Sequence, residues 1–460
     1  MTTELQKLSH EDWQYAVDNL RTAKLLAPQD KNSPDALDAH PLIREHFGER
    51  LKISNPTAWK EAHRRLYEYY KNSQPKEYPE TLEEMTPLFA AVAHGCQAER
   101  HKEALHEVFN RRIDRGEAFV AHKLGAMGAI LATLSGFFET PWRTPVQGLT
   151  EVDKAYVLNI AGYCLRALGR LTEAVDPMRA ALTTQITLRN WPFAAIDANN
   201  LSENYLTSGD LHEALKFARQ SVELADHSGD SFYRMGTRTC LASALHQAGH
   251  FKEARNMFQR AEELQKEWQP NYPLLYSIQG FYYRNFLLDQ GKWLDVQSRA
   301  KQSLKWIEND PKVSILTLAV EYLSSGQALL VQAQHQGTCD YIQAQFCLDK
   351  AVEYLRQAGT EHHLPRGLLS RAGLYRLQLI FEPAQRDLNE AMTIATRGGM
   401  RLYEADCHLE YAWLYLAMGG DYKVDAQKSL AKAKAMINEM GYHRRDNEVK
   451  ELEKQLMQGQ

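Results

Sequence analysis

Long apolar runs are missing from this chain. The longest candidate, Leu124 to Phe138, is about 15 residues and is broken by glycine, serine and threonine, short of the roughly 20 that a spanning helix needs. Met1 to His10 has no basic stretch followed by an apolar core, so no secretory leader is read there. Cysteine is scarce, six in 460 residues, and no two form a C-x-x-C pair. Scattered thiols of this kind are expected to be reduced, buried and small. An excess of one charge is missing too. Lysine plus arginine number 54 against 58 aspartate plus glutamate, a net charge of -4, which offers no global attraction to nucleic acid or an anionic membrane. Together these absences lead us to expect a cytoplasmic protein.

Catalytic motifs are equally thin. His106-Glu107 lacks the second histidine of a zinc-protease helix, because position 110 is Asn110. His362, His363 and His408 stand apart from cysteine or aspartate at ligand spacing, and no G-x-S-x-G elbow occurs. The only Gly-Lys, Gly291-Lys292, is followed by Trp293, so no phosphate-cradling P-loop is present. Cys164 and Cys240 sit on alanine-rich segments that read as core. The expectation is a protein that is not an enzyme and needs no cofactor or metal.

What is present is a period. Gly169, Gly209 and Gly249 are 40 residues apart, and each is followed five residues later by alanine: Ala174, Ala214, Ala254. The glycine supplies the left-handed cap that ends one helix. The bulky residue two positions on (Leu171, Leu211, Phe251) packs under the turn, and the alanine lets the two helices approach. The small position recurs as Ala181, Ser221 and Ala261, then in weaker repeats as Ala351, Ala391 and Ala433, with Val296 in the alanine slot after Gly291. Leu88 to Leu105, with Gly95 and Ala104, reads as an earlier degenerate pair. Helix-forming residues dominate between the turns, with apolar positions at three and four. Hairpin dipeptides flanked by alternating strands are absent. The fold expected is all-α, with seven or eight helix pairs.

These residues resemble tetratricopeptide repeats, stretched from the usual period to about 40. The resemblance implies a right-handed superhelical solenoid in which the first helix of each pair lines a concave binding face. Projected onto the repeats, that face would carry Asn159, Tyr163 and Arg166, then Asn199 and Glu203, then Thr239, Ser243 and His246. Asparagine costs helix propensity, so Asn159 and Asn199 would either bond an extended peptide's backbone or bridge neighbouring repeats. A second candidate is the turn His362 to Gly367 and its helix, with Arg366 and Arg376 projecting inward and Arg371 nearer the packing face. With His443-Arg444-Arg445 these could bind an acidic ligand or phosphate. Tyr411 and Tyr415 read as core.

Residues 1–75 do not fit the period. Trp13 to Leu26 reads as one helix, broken by a polar loop from Pro28 to Asp35; Leu37 to Phe47 leads into a second, and Ala58 to Tyr70 makes a third. Ala39-His40-Pro41-Leu42 with Arg44 resembles the motif that opens a helix in the winged-helix domain of signal-transduction (STAND, NACHT-like) NTPases of bacteria, with Pro41 where the family has aspartate. In the family that histidine senses the β-phosphate of ADP, a role only His40 inherits. The expected organisation is a winged-helix-like remnant and connecting helix (1–75), degenerate repeats (76–150) and the repeat solenoid (151–460), forming the C-terminal portion of a longer protein. The expected function is a sensor that recognises a protein or peptide trigger and relays it to an NTPase domain in the same or an adjacent chain. Neither a membrane nor nucleic acid is the expected partner. The alternative is a ligand-gated regulator that binds a small acidic molecule or nucleic acid through the basic C-terminal patch.

Overall fold

The computed structural model describes residues 7–29, 37–307, 310, 312–337 and 340–458. Cys339, the first residues of the chain and most of the expected loop from Pro28 to Asp35 lie outside them. Two compact units divide the chain, Met1–Gly116 and Glu117–Gln460.

The first unit is helical, with no strand among its described residues: α1 (His10–Thr22), α2 (Pro41–Ser54), α3 (Pro56–Ser73), α4 (Leu82–Gln97) and α5 (His101–Glu103), which continues as a π-helix, Ala104–Asp114. The starts are written in the sequence. Ser9, Asn55 and Thr81 each accept from a backbone N–H in the first turn of their helix, satisfying donors that the helix itself leaves open. Gly95 permits the expected degenerate pair: a β-carbon there would lie 2.8 Å from that of Ala104 and 2.9 Å from the ring of buried Tyr67.

The second unit opens with α6 (Phe119–Leu124), α7 (Met127–Leu134) and a short antiparallel ribbon, β1 (Phe138–Thr140) with β2 (Thr144–Pro145). Among the described residues seven hairpins follow: α8 (Glu151–Ala167) and α9 (Leu171–Thr187), α10 (Trp191–Ser208) and α11 (Leu211–Ser228), α12 (Ser231–Gln247) and α13 (Phe251–Trp268), α14 (Ser277–Asp289) and α15 (Trp293–Ile307), α16 (Ile315–Gln336) and α17 (Ile342–Gln357), α18 (Leu364–Leu377) and α19 (Phe381–Gly398), α20 (Arg401–Met418) and α21 (Lys423–Met440). Helix α22 (Asp446–Gln458) closes the stack. The fold is an all-α solenoid of tetratricopeptide-like hairpins. Every alanine of the repeated slots, with Val296, is fully buried where the two helices of a pair meet. Between α14 and α16 lies an almost solvent-free ion pair, Arg284 to Glu321 at 2.8 Å.

The turns do a second job that the period does not reveal. Within this unit the early turns press against late loops. Gly125 and Gly359 meet backbone to backbone, and Gly169 packs on Met400. A β-carbon at Gly209 would lie 2.4 Å from Met440 Sδ and 3.0 Å from Arg401 Cβ, and one at Gly249 would lie 2.8 Å from His443 Cβ. The Glu361 N–H donates to the Ala167 carbonyl at 2.7 Å across the same line. The early turns thus meet late turns four or five pairs further on, and the superhelix closes along a seam.

Candidate interior binding site

Closure turns the inner faces of the first helices toward one another. Two groups of cavities lie between them. The first, about 560 Å³, is lined by Tyr163, Arg166, Glu203, Trp268, His362 and His363 among others. The second, about 110 Å³, has Ser243, Phe281, Tyr282, Gln327, Arg366 and Tyr403 in its wall. It shares Asn285, Gln327, Ser370 and Arg444 with a further space of about 350 Å³.

A buried polar relay stands between the two groups. Arg166 donates to Glu203 at 2.5 Å and to Asn200 Oδ1 at 3.4 Å. Glu203 also accepts from the Tyr282 hydroxyl at 2.9 Å and the Cys240 thiol at 3.4 Å. Burial works to raise the Glu203 carboxyl, but the charge of Arg166 and these three donors outweigh it and hold it lowered. Tyr163 is pushed up to about 12 by burial. The rings of His362 and His363 lie against each other, tilted by 38°, with centroids 4.0 Å apart. Burial, then neighbouring positive charge, pushes both well below the usual histidine value, so both are neutral.

The residues projected from the repeats separate into two sets. Tyr163, Arg166 and Glu203 line the larger cavity and Ser243 the smaller. Thr239 does not present its hydroxyl to the interior, because it bonds the Met235 and Gly236 carbonyls of its own helix at 2.8 and 2.9 Å. His246 is 1% exposed; its Nε2 lies 2.8 Å from Asp289 Oδ2, and burial lowers it to about 4. Asn159 donates to Asp197 on the next first helix, the bridging role, and Asn199 lies beside the Cys240 thiol. Asp197 itself, fully buried, was not among the expected site residues; burial raises its carboxyl to about 8.

The arginine cluster is matched by carboxylates. Arg376 donates to Glu410 at 2.6 Å, Arg371 to Asp387 at 2.7 Å, Arg444 to Asp289 at 2.6 Å and Arg445 to Asp406 at 2.8 Å. Each of these four arginines therefore has a carboxylate partner within the protein. Arg366 differs: it donates through Nε to the Tyr403 hydroxyl and has no carboxylate partner among the described residues. In the first unit, His40 caps α2, its Nδ1 accepting from the Leu42 N–H at 3.3 Å. The five described cysteines are buried and unbridged. Burial pushes Cys96 up to about 12 and Cys240 and Cys407 well above the usual thiol value, which keeps these thiols protonated and poor nucleophiles. Among the described residues no helix is long and apolar enough to cross a membrane, and no group of three or more His, Cys, Asp or Glu side chains is placed to hold a metal ion.

A closed stack of hairpins around a polar interior defines a repeat protein of the solenoid class, whose curvature creates extended inner surfaces. Residues 153–227, spanning the first two hairpins, match the tetratricopeptide repeat family. No curated protein matches the sequence. Solved structures similar to the chain include a Rap protein complexed with competence and sporulation factor, 13% identical, covering 89% of this chain and 99% of that one at a TM-score of 0.35. A STAND protein with a tetratricopeptide repeat sensor from Pyrococcus horikoshii is 14% identical, with a TM-score of 0.43. There the match covers 95% of this chain and 60% of that protein. The Cut9–Hcn1 hetero-tetramer of the APC/C is 12% identical, covering 88% of each chain at 0.37.

Proposed function

We propose that the chain is a non-catalytic protein-interaction module whose partner, an extended peptide or protein segment, occupies the interior of the second unit. The observation that carries this reading is the meeting of polar first-helix side chains around cavities large enough for several residues of a peptide. On this reading the trigger is relayed to a signalling NTPase, and His40, whose Nε2 makes no hydrogen bond among the described residues, faces the nucleotide of that partner. The rival reading, a nucleic acid or acidic ligand held by a C-terminal basic patch, is weakened by the carboxylate pairing of Arg371, Arg376, Arg444 and Arg445.

The test fills the interior. Ser243 is 5% exposed and borders the smaller cavity, so Ser243→Trp blocks it. Wild-type protein immobilised in native extract is expected to retain a partner that Ser243→Trp loses, at matched melting temperature. Retention of the same partner by both would sink the interior-binding reading.

A further inference from the structure

Arginines facing the interior of the second unit follow one rule, and Arg366 breaks it. Arg166, Arg376, Arg444 and Arg445 each have a carboxylate at 2.5 to 2.8 Å. Arg366 has a phenol instead. Its guanidinium carbon lies 5.3 Å from the ring centroid of Phe281, 5.5 Å from that of Tyr282 and 5.7 Å from that of Tyr403. Three aromatic faces steady a cation electrostatically, but they do not satisfy its N–H groups. Only Nε is bonded; the two terminal nitrogens make no hydrogen bond among the described residues.

The space beside this guanidinium is short of partners in the same way. Gln327 Oε1 is buried with no hydrogen bond, although its amide nitrogen donates to Ser370 at 2.9 Å. The side chains of Asn285 and Ser243 make no hydrogen bond among the described residues, and all three residues line the cavity with Arg366. A partly desolvated cation without a counter-ion is costly, and buried polar atoms are normally paired. The negative charges nearby are already committed. Asp406 accepts from Arg445 at 2.8 Å and from Tyr442 at 3.1 Å, while Glu203 accepts from Arg166. The cavity therefore holds one net positive charge, a free N–H pair and uncommitted amide groups. Its volume of about 110 Å³ takes a group of carboxylate size, and the adjoining 350 Å³ takes the chain that carries it.

We propose that this cavity is an anchor for one carboxylate of the bound peptide, received by the two terminal nitrogens of Arg366, with Asn285 and Gln327 bonding the adjacent peptide amides. The planar fork of arginine matches a carboxylate in two parallel hydrogen bonds. The proposal rests on the interior-binding reading above and names the group that this interior selects. The carboxylate is a C-terminus or an aspartate or glutamate side chain; the chemistry at Arg366 is the same.

The test uses the full chain and three pools of N-terminally fluorescein-labelled random octapeptides, read by fluorescence polarisation. One pool has amidated ends and no Asp or Glu. The second has free C-terminal carboxylates and no Asp or Glu, and the third has amidated ends with a single Glu. The second or third is expected to bind wild-type protein about tenfold or more tightly than the first, and which of the two does so identifies the source of the carboxylate. Arg366→Gln is expected to erase that preference, and Arg366→Lys to keep part of it. Gln327→Glu leaves Arg366 in place and supplies a tethered carboxylate; it is expected to erase the preference while raising the melting temperature. Equal binding of all pools, or a preference that survives Arg366→Gln, overturns the anchor. If the neutral pool binds and Ser243→Trp displaces it, the interior reading stands without the anchor. If no pool binds, the anchor is overturned, and the retention experiment with Ser243→Trp decides the interior reading separately.

Discussion

A single aspartate carries the clearest pH signature. Asp197 is fully buried, accepts one hydrogen bond from Asn159 and has its other oxygen unpartnered. Burial raises its carboxyl from the ordinary 3.8 to about 8. Between those values the folded protein keeps a proton that the unfolded chain has released. Stability from this group therefore falls as pH rises from about 4 to about 8 and levels off above, a loss on the order of a few kcal/mol. Asp197→Asn keeps the acceptor for Asn159 and removes the titration. Melting curves taken from pH 5 to 9 should show the wild type declining relative to the variant as pH rises; parallel profiles would refute the assignment. A hint was available in the sequence, since Asp197 interrupts the alanine-rich run Phe193-Ala194-Ala195-Ile196. What could not be read there is that its facing residue is a neutral amide and not an arginine.

At the scale of the helix hairpin, glycines that look alike in sequence have different neighbours. Gly209 and Gly229 both end a helix in the left-handed region, with φ of +86° and +70°. A β-carbon at Gly229 meets nothing within 4 Å, whereas one at Gly209 collides with Met440 and Arg401. Gly229→Ala should cost only the backbone term, about 1 kcal/mol. Gly209→Ala adds overpacking of roughly 1–3 kcal/mol to that. Urea denaturation of the two variants measures the difference, and equal losses would mean that the seam contributes nothing at this turn. The turn glycines and the buried alanines were legible because each repeats at constant spacing and does one local job. The column Asn159, Asn199, Thr239 repeats just as well, but Asn159 and Thr239 spend their polar groups on protein contacts. Periodicity marks what neighbouring repeats need from one another, and a ligand has no reason to share that period. The ribbon at Phe138–Pro145 and the π-helix at Ala104–Asp114 had no periodic trace at all.

Across the second unit the seam departs from the usual energetics of stacked repeats, in which each unit leans only on its neighbours. Arg444 reaches back to Asp289 and to Gln247, and His443 packs on Gly249. Deleting residues 442–460 should therefore raise amide hydrogen exchange at the α12–α13 turn, residues 246–251, nearly two hundred positions upstream. Faster exchange confined to α20 and α21 would show a simple nearest-neighbour stack. The sequence concealed this closure because its two sides differ: glycines on one, and Met400, Met440 and His443 on the other.

A chain closed in this way also bears on how it can change over evolutionary time. Open repeat arrays lengthen and shorten by duplicating or losing a unit, since any unit can sit beside any other. Here Gly169, Gly209 and Gly249 must each meet a particular late loop, so one inserted or deleted hairpin would slide every pairing out of step at once. Descendants of this protein are expected to vary in side chains while holding the number of hairpins constant.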